Sequence, residues 1–129
     1  MTLVDSSVWI NHFNQVSDPA VERLRGIITQ GPLLVGDLIL CEVLQGFHSE
    51  AQAQLVERAL SQYQLVTLSS PELATRAAAN YRLLRRRGIT IRKTIDVIIG
   101  TFCVERGHAL LHSDRDFDPM ERFLGLQTV

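Results

Sequence analysis

The sequence has few cysteines, no excess of positive charge and no long apolar run. Cys41 and Cys103 are the two cysteines among 129 residues, and their apolar surroundings, without CxxC or Cys/His spacing, predict buried free thiols rather than a zinc site. The formal net charge of −1 excludes a global attraction to nucleic acid. An enzyme acting on a polyanion would therefore need a local positive patch or bound cations.

Targeting and membrane features are also lacking. The opening residues, MTLVDSSVWI, include the carboxylate of Asp5 and lack the basic start and apolar stretch of a signal peptide. No uncharged run approaches the ~20 residues of a membrane helix, and we find no repeat, low-complexity tract or linker. We expect a soluble, cytoplasmic protein without membrane association, formed by one domain over residues 1–129 whose 46% hydrophobic content supplies the core.

Short apolar segments alternate along the chain with segments of helical periodicity. The predicted strands are residues 2–5, 33–36, 63–68, 108–113 and 126–129. The predicted helices are residues 6–13, 17–31, 38–47, 49–62, 70–88 and 94–107. Their predicted capping residues include Asp37, Ser49 and Thr94, and their predicted glycine stops are Gly31, Gly88 and Gly107.

This alternation predicts an α/β fold with a central, mostly parallel sheet and helices on both faces, because parallel strands need crossover connections. Ligands of such sheets collect beyond the carboxyl ends of the strands. Asp5 follows the apolar residues of the first strand, and Asp114 follows the strand at residues 108–113. We therefore expect both carboxylates at one edge of the sheet.

Four acidic residues lie in or beside apolar sequence, where a charge is costly: Asp5, Glu42, Asp96 and Asp114. If they converge, their repulsion would raise at least one pKa, and a hard divalent cation would relieve it. Oxygen ligands without His or Cys favour Mg²⁺ or Mn²⁺ over zinc. Such a centre activates water and binds phosphate oxygens, which indicates hydrolysis of a phosphodiester.

A structural interpretation competes with the metal site. Asp5 and Asp96 could be helix caps, Glu42 a solvated helical residue, and DRDFD at residues 114–118 an Asp-rich turn. Ser6 and Ser7 follow Asp5, and a hydroxyl there either caps the next helix or binds a metal-bound water. Of the two, Ser7 is the candidate for supporting the metal site. The residues alone leave these alternatives open.

A basic segment precedes Asp96. Residues 73–95 contain no acid and hold seven of the thirteen Lys and Arg residues. Arginines at a helix C-terminus also complement the helix dipole without any function. We interpret the segment as the local positive field that holds a phosphate backbone. The candidate RNA-binding residues are Arg85, Arg86, Arg87, Arg92 and Lys93.

Four stretches resemble the PIN-domain ribonucleases and, within them, the VapC toxins of bacterial toxin–antitoxin pairs. They are VDSSVWI, DLILCEVLQGF, TIDVIIGTFC and LLHSDRDFD, and together they span nearly the whole chain. The resemblance implies a compact PIN-like three-layer α/β fold and a site that depends on Mg²⁺ or Mn²⁺. The family's acidic quartet matches Asp5, Glu42, Asp96 and Asp114, and a further nearby acid matches Asp116.

The resemblance also implies an endoribonuclease acting on single-stranded or structured RNA. It implies homodimerisation and inhibition by a VapB-type antitoxin whose extended arm occupies the cleft. The crowding of Asp114, Asp116 and Asp118 leaves open which of them completes the quartet. The alternative is a catalytically silent RNA- or protein-binding module. A phosphatase with an aspartyl nucleophile is disfavoured, because Ser7 stands where a second acid is usual.

Overall fold

A computed structural model describes residues 1–129 and contains a five-stranded sheet in which every strand pairing is parallel. The predicted α/β class is therefore confirmed, and the sheet is wholly rather than mostly parallel. All five predicted strands form, and all but the second are shorter than their apolar segments. They are Thr2–Val4 (β1), Leu33–Gly36 (β2), Gln64–Val66 (β3), Ala109–Leu111 (β4) and Gln127–Thr128 (β5).

Seven α-helices connect or follow these strands. They are Ser6–Phe13 (α1), Pro19–Gln30 (α2), Asp37–Gln45 (α3), Glu50–Ser61 (α4), Pro71–Arg86 (α5), Thr94–Arg106 (α6) and Asp118–Leu124 (α7). A 3₁₀ helix spans Arg115–Phe117. No helix combines the length and the apolar character that a bilayer crossing requires.

The strand order β3-β2-β1-β4-β5 places the first and fourth strands side by side at the centre of the sheet. Leu3 of β1 lies opposite Leu34 of β2 on one side and Leu110 of β4 on the other. The backbone N–H of Asp5 continues this pairing by donating to the Leu111 carbonyl at 2.9 Å. The segments after β1 and β4 are therefore neighbours although more than 100 residues separate them.

The helices form two layers. From β1 the chain moves outward to β2 and β3, then returns past β1 to β4 and β5. Right-handed crossovers place the connections of these two halves on opposite faces. Helix contacts agree with this division, since α1 contacts α2 and α3, α3 contacts α4, and α5 contacts α6 and α7. The prediction of helices on both faces is confirmed.

The core lies between the sheet and these layers. Leu3, Leu34 and Leu110 of the three central strands are at most 1% exposed. Trp9 and Phe102, at 1% and 4% exposure, are core aromatics. Strands covered on both faces explain why their segments are continuously apolar rather than alternating.

Only one of the two cysteines is buried. Cys103 is 1% exposed on α6, whereas Cys41 is exposed on α3. The prediction of a buried thiol at Cys41 is wrong. Ile39 and Val43 face the core, and a helical residue two positions from each of them points to the opposite side.

Local signals mark several helix ends. The side chains of Asp18, Ser49 and Ser70 accept hydrogen bonds from backbone N–H groups in the first turns of α2, α4 and α5. Gly107 ends α6 with φ of 71°, in the left-handed region that glycine adopts without a steric penalty.

Two predicted caps are wrong. The N-cap of α6 is Lys93, so Thr94 is the first helical residue and makes no capping bond. The N-cap of α3 is Gly36, and the carboxylate of Asp37 instead accepts hydrogen bonds from the N–H groups of Leu38 (2.9 Å) and Leu68 (3.0 Å). Asp37 thus attaches the segment after β3 to the start of α3.

Helix α7 was not predicted. Its seven residues begin at the end of the Asp-rich segment, for which the sequence predicts a turn or a group of metal ligands. Pro119 in its first turn and Gly125 at its end, with φ of 75°, are the local signals that mark it.

Candidate active site at the carboxyl edge of the sheet

The carboxyl end of β1 places Asp5 inside the protein. Its side chain is 3% exposed. The Oδ2 atom caps α1 by accepting from the Ser7 N–H at 3.2 Å and from the Ser7 hydroxyl at 2.6 Å. The capping interpretation of Asp5 therefore holds locally. It does not exclude a second role, because a carboxylate has four lone-pair sites and the other oxygen, Oδ1, takes no part in these bonds.

The carboxyl end of β4 leads into a tight turn. Asp114 caps the 3₁₀ helix by accepting from the Asp116 N–H at 2.9 Å, and its own N–H donates to His112 Nδ1 at 3.2 Å. Carboxylate oxygens of Asp114 and Asp116 then lie within 4.8 Å of each other and of an Asp96 oxygen. Asp118 is exposed at the first position of α7, outside this cluster.

Glu42 and Asp96 reach the same edge from two helices. Glu42, on the second turn of α3, accepts a hydrogen bond from the Ser6 hydroxyl at 3.2 Å. Asp96, on the first turn of α6, is 4% exposed, and its Oδ2 is buried without any hydrogen-bond partner. Sequence reasoning gave Ser6 no separate role. Its adjacency to Asp5, one step before Ser7, was the available signal.

The raised pKa of Asp96 reflects its burial and the proximity of the other three acids. Burial is the main cause of its rise from 3.8 to about 7, and the charges of Asp5, Asp114 and Glu42 raise it further. Lys93 opposes the shift. Carboxylates from four separate segments are thus close enough to repel one another.

Asp5 and Glu42 respond in the same direction. Burial raises the pKa of Asp5, and the charge of Asp114 adds to this, while the hydrogen bonds from Ser7 and Ser6 act against it. Burial also raises the pKa of Glu42, with a second contribution from the charge of Asp5. Each acid is therefore held in a place where its ionised form is costly without a cation.

Asp96, Asp114 and Asp116, which we call the acidic cluster, form a set of donors that fits a divalent metal. Two oxygens on opposite sides of a Mg²⁺ ion, each at ~2.1 Å, lie ~4.2 Å apart. The oxygens of Asp96, Asp114 and Asp116 lie within 4.8 Å of one another, so a small side-chain movement closes them on one ion. Asp96 Oδ2 and Asp116 Oδ2 are both buried and accept no hydrogen bond. An all-oxygen site with unpaired lone pairs suits Mg²⁺ or Mn²⁺ and disfavours zinc.

Two cationic residues border the acidic cluster. Arg92 Nε lies 3.5 Å from Asp116 Oδ2, although the arginine side chain is 80% exposed. Lys93 is exposed, and its positive charge partly opposes the rise in the pKa of Asp96 and of Glu42. The end of the basic segment therefore lies beside the acids.

Arg85, Arg86 and Arg87 make different contacts from Arg92 and Lys93. All three arginines are exposed at the C-terminal end of α5. The Arg85 guanidinium lies over the Tyr81 ring, and that of Arg87 lies over the Phe123 ring. None of the three forms an ion pair with the acidic cluster.

Comparison with known families identifies the family of this fold. Residues 2–122 match the PIN domain family. The chain belongs to the PIN-domain family. The resemblance of the four sequence stretches to PIN domains is thereby confirmed, and the acidic edge described above is part of a PIN domain.

Curated relatives of this PIN domain cover its full length. Ribonuclease VapC11 of Mycobacterium tuberculosis is 26% identical over 131 residues, which cover 100% of this chain and 98% of the relative. VapC ribonuclease Mb1587 of Mycobacterium bovis matches with the same identity and coverage.

Solved structures share the fold at lower identity. The VapBC2 complex of Rickettsia felis, bound to a DNA fragment from its promoter, contains a chain that matches with a TM-score of 0.76 and 16% identity, covering 99% of this PIN domain and 96% of that chain. VapBC-1 of nontypeable Haemophilus influenzae contains a chain that matches with a TM-score of 0.74 and 16% identity, covering 99% of this PIN domain and 96% of that chain. VapC20 of Mycobacterium tuberculosis, a sarcin-ricin loop cleaving toxin, matches with a TM-score of 0.67 and 14% identity, covering 92% of this PIN domain and 94% of that chain.

Proposed function

We propose that this PIN domain is a VapC-type toxin, a metal-dependent endoribonuclease that hydrolyses a phosphodiester bond of RNA. The observation that carries the proposal is the meeting of Asp5, Glu42, Asp96 and Asp114 at one sheet edge, with a buried Asp96 oxygen that no protein group satisfies. Full-length similarity to ribonucleases of the VapC type supports the same activity.

The proposed ligands of Mg²⁺ or Mn²⁺ are Asp5, Asp96, Glu42, Asp114 and Asp116. A bound ion at this edge would lower the pKa of water and neutralise phosphate charge. Asp96 and Asp116 have buried oxygens that accept no hydrogen bond and would bind it. Asp114 holds the turn that brings Asp116 to the cluster by accepting its N–H.

Asp5 and Glu42 are held in place by the serines that follow β1. The Ser7 hydroxyl fixes one oxygen of Asp5 at 2.6 Å, and the Ser6 hydroxyl fixes one oxygen of Glu42 at 3.2 Å. We therefore give Ser7 a positioning role, and we add Ser6 to it. Fixed carboxylates keep the reacting phosphate and the attacking water in line.

Cationic side chains would hold the RNA backbone over these acids. Arg92 and Lys93 are exposed and border the acidic cluster, so both are within reach of a phosphate seated there. Arg85, Arg86 and Arg87 are proposed to contact the strand farther from the scissile bond. A local positive field of this kind compensates for the net charge of −1.

The proposed partners follow the relatives. Chains of this fold occur in VapBC toxin–antitoxin complexes of Rickettsia felis and Salmonella typhimurium. We propose that a VapB-type antitoxin neutralises this protein by occupying the cleft at the acidic edge of the sheet. The protein is further proposed to form a homodimer and to act in the cytoplasm, where its RNA substrates are made.

A nuclease assay tests the proposal. The wild-type protein should cut single-stranded or structured RNA with Mg²⁺ or Mn²⁺ present and should stop when EDTA is added. Asp5→Asn and Asp96→Asn should each abolish cutting while far-UV circular dichroism stays unchanged. Cutting that persists in EDTA would refute the metal site. RNA binding without any cutting would instead support the catalytically silent module.

A cellular assay tests the toxin role separately. Expression of this chain alone should arrest growth, and co-expression of a small protein encoded beside it should relieve the arrest. Growth arrest by the Asp96→Asn variant at the wild-type level would contradict RNA cleavage as the cause.

A further inference from the structure

A second cleft lies beside the acidic cluster and has the opposite charge. It occupies about 330 Å³ between the segment after α5 and helix α7. We call it the Phe123 cleft. It is lined by Ile89, Arg115, Asp118, Pro119, Arg122 and Phe123. Sequence reasoning assigned no function to Arg115, Arg122 or Phe123.

Phe123 lies at the centre of a group of arginines. The Arg87 guanidinium carbon is 5.3 Å from the ring centroid, and that of Arg122 is 5.0 Å away. Both arginines are exposed, as is Arg115. Exposed guanidinium groups beside an aromatic ring are able to stack on another planar group.

These arginines lack carboxylate partners. The three ion pairs of the protein join Arg25 to Glu22, Arg76 to Glu105 and Arg92 to Asp116. Arg87, Arg115 and Arg122 therefore have no acid within 4 Å of their nitrogens, and this arrangement leaves their positive charge available to a ligand. It suits an anionic ligand with a planar group.

The Phe123 cleft adjoins the proposed scissile phosphate. Arg115 lies between Asp114 and Asp116, so one Cα step of ~3.8 Å separates a cleft residue from a residue of the acidic cluster. Arg92, which pairs with Asp116, lies three residues after Ile89 of the cleft. The cleft is therefore close enough for the nucleotide next to a phosphate at the acids to reach it.

We propose that the Phe123 cleft binds the nucleotide next to the scissile phosphate in single-stranded RNA. The base stacks on the Phe123 ring, where it replaces the guanidinium group of either Arg87 or Arg122. Arg87, Arg115 and Arg122 contact the adjoining phosphates. Asp118 repels phosphate, so the base rather than the backbone faces it, where its carboxylate accepts from an exocyclic amino group. This inference rests on RNA being the substrate.

The inference predicts specific losses of RNA affinity. In an Asp96→Asn background, which prevents cutting, fluorescence anisotropy with a labelled 12-nucleotide single-stranded RNA measures binding. Phe123→Leu should weaken binding about 5- to 100-fold, because it removes the stacking surface and keeps most of the apolar volume. Arg122→Ala should reduce the slope of log K against log salt by ~0.7, the value for one phosphate contact. Arg58→Ala, on exposed α4, should change neither quantity.

A photo-cross-link identifies the contact directly. RNA that carries 5-iodouridine at successive positions should cross-link to the peptide containing Phe123 when the modified base is next to the cleavage position. Thermal melting shows whether Phe123→Leu remains folded, and Arg122→Ala supplies an exposed variant if it does not. Affinity unchanged in both variants, or cross-links confined to other peptides, would overturn the cleft assignment.

The two proposals can fail separately. If the wild-type protein cuts RNA but the cleft variants bind and cut normally, only the cleft assignment is lost. If the wild-type protein neither cuts nor binds RNA, the proposed function is lost and this inference with it. An acidic peptide whose binding depends on the same substitutions, with RNA unaffected, would assign the cleft to a protein ligand instead.

Discussion

The starts of α3 and α6 each carry an aspartate, and the two carboxylates have opposite surroundings. Asp37 is exposed, and one of its oxygens accepts two backbone N–H groups, from Leu38 and Leu68. Asp96 is 4% exposed, and its Oδ2 accepts none. The first carboxylate is already satisfied by the fold. The second stays costly until a cation arrives, and this difference separates a structural acid from a functional one.

The largest expected effect comes from exchanging each of these acids for its amide. Asp96→Asn should reduce RNA cleavage on the order of 10³-fold or more, since a metal ligand contributes several kcal/mol to the transition state. Asp37→Asn keeps the accepting oxygen and should leave cleavage close to wild type. Single-turnover cleavage with Mg²⁺ measures both. Equal losses in the two variants would remove the distinction.

The next effect concerns stability in the absence of metal. The folded pKa of Asp96 is about 7 and its ordinary value is 3.8, so the folded state favours the protonated form. The resulting stabilisation is complete below about pH 4 and is lost as the pH rises through 7, by up to about 4 kcal/mol. Chemical denaturation in EDTA should therefore show wild-type stability falling between about pH 4 and 7 and levelling off above that.

Asp96→Asn and Mg²⁺ sharpen this stability test. Asp96→Asn should be more stable than wild type at pH 8 in EDTA, because it removes a buried charge that no group satisfies. Mg²⁺ should restore the stability of the wild type and add little to the variant. Asp37→Asn should keep the pH dependence of the wild type. A flat wild-type profile from about pH 4 to 7 would contradict the raised pKa.

A smaller effect, on metal affinity, is expected from removing the Ser7 hydroxyl that bonds to Asp5. Ser7→Ala removes the 2.6 Å hydrogen bond to Oδ2 and keeps the backbone N–H contact. Loss of a group that orients a metal ligand costs about 10- to 100-fold in metal affinity. Titration calorimetry with Mn²⁺ measures it. Ser17→Ala, whose hydroxyl bonds the exposed Glu22, is the control and should bind Mn²⁺ as the wild type does.

The smallest effect concerns Arg92, which acts as a weak internal counter-ion. Its 3.5 Å pairing with Asp116 competes with a metal, but its 80% exposure means that solvent screens the interaction. Arg92→Ala should tighten Mn²⁺ binding about two- to fivefold at low salt, and the gain should shrink as salt is added. Arg76→Ala, which breaks an exposed pair with Glu105, should have no effect. Weaker Mn²⁺ binding by Arg92→Ala would reverse the assignment.

The fold was largely predictable because its signals are local. Caps such as Ser49, and the glycine in a left-handed conformation at Gly107, act within one turn of the helix that they begin or end. Continuous apolar segments predicted strands buried on both faces. The misplaced caps at Asp37 and Thr94 moved each helix start by about one residue. Helix α7 was missed because its first residue belongs to an Asp-rich segment that suits a turn equally well.

The site was predictable only in part. Asp5 and Asp114 could be placed together because each follows a predicted parallel strand, and parallel strands share one carboxyl edge. Glu42 and Asp96 come from helices, whose rotation about their own axes is set by packing. The same uncertainty made Cys41 appear buried. Ser6 and the Phe123 cleft depend on tertiary contacts that no spacing along the chain records.

The central position of β4 beside β1 has a consequence for how the protein is made. Asp5 follows the first strand, but the neighbouring strand β4 and the acids after it lie more than 100 residues later in the chain. A nascent chain therefore cannot assemble the pocket until residues 109–116 have left the ribosome, so an incomplete copy that ends before them has no activity.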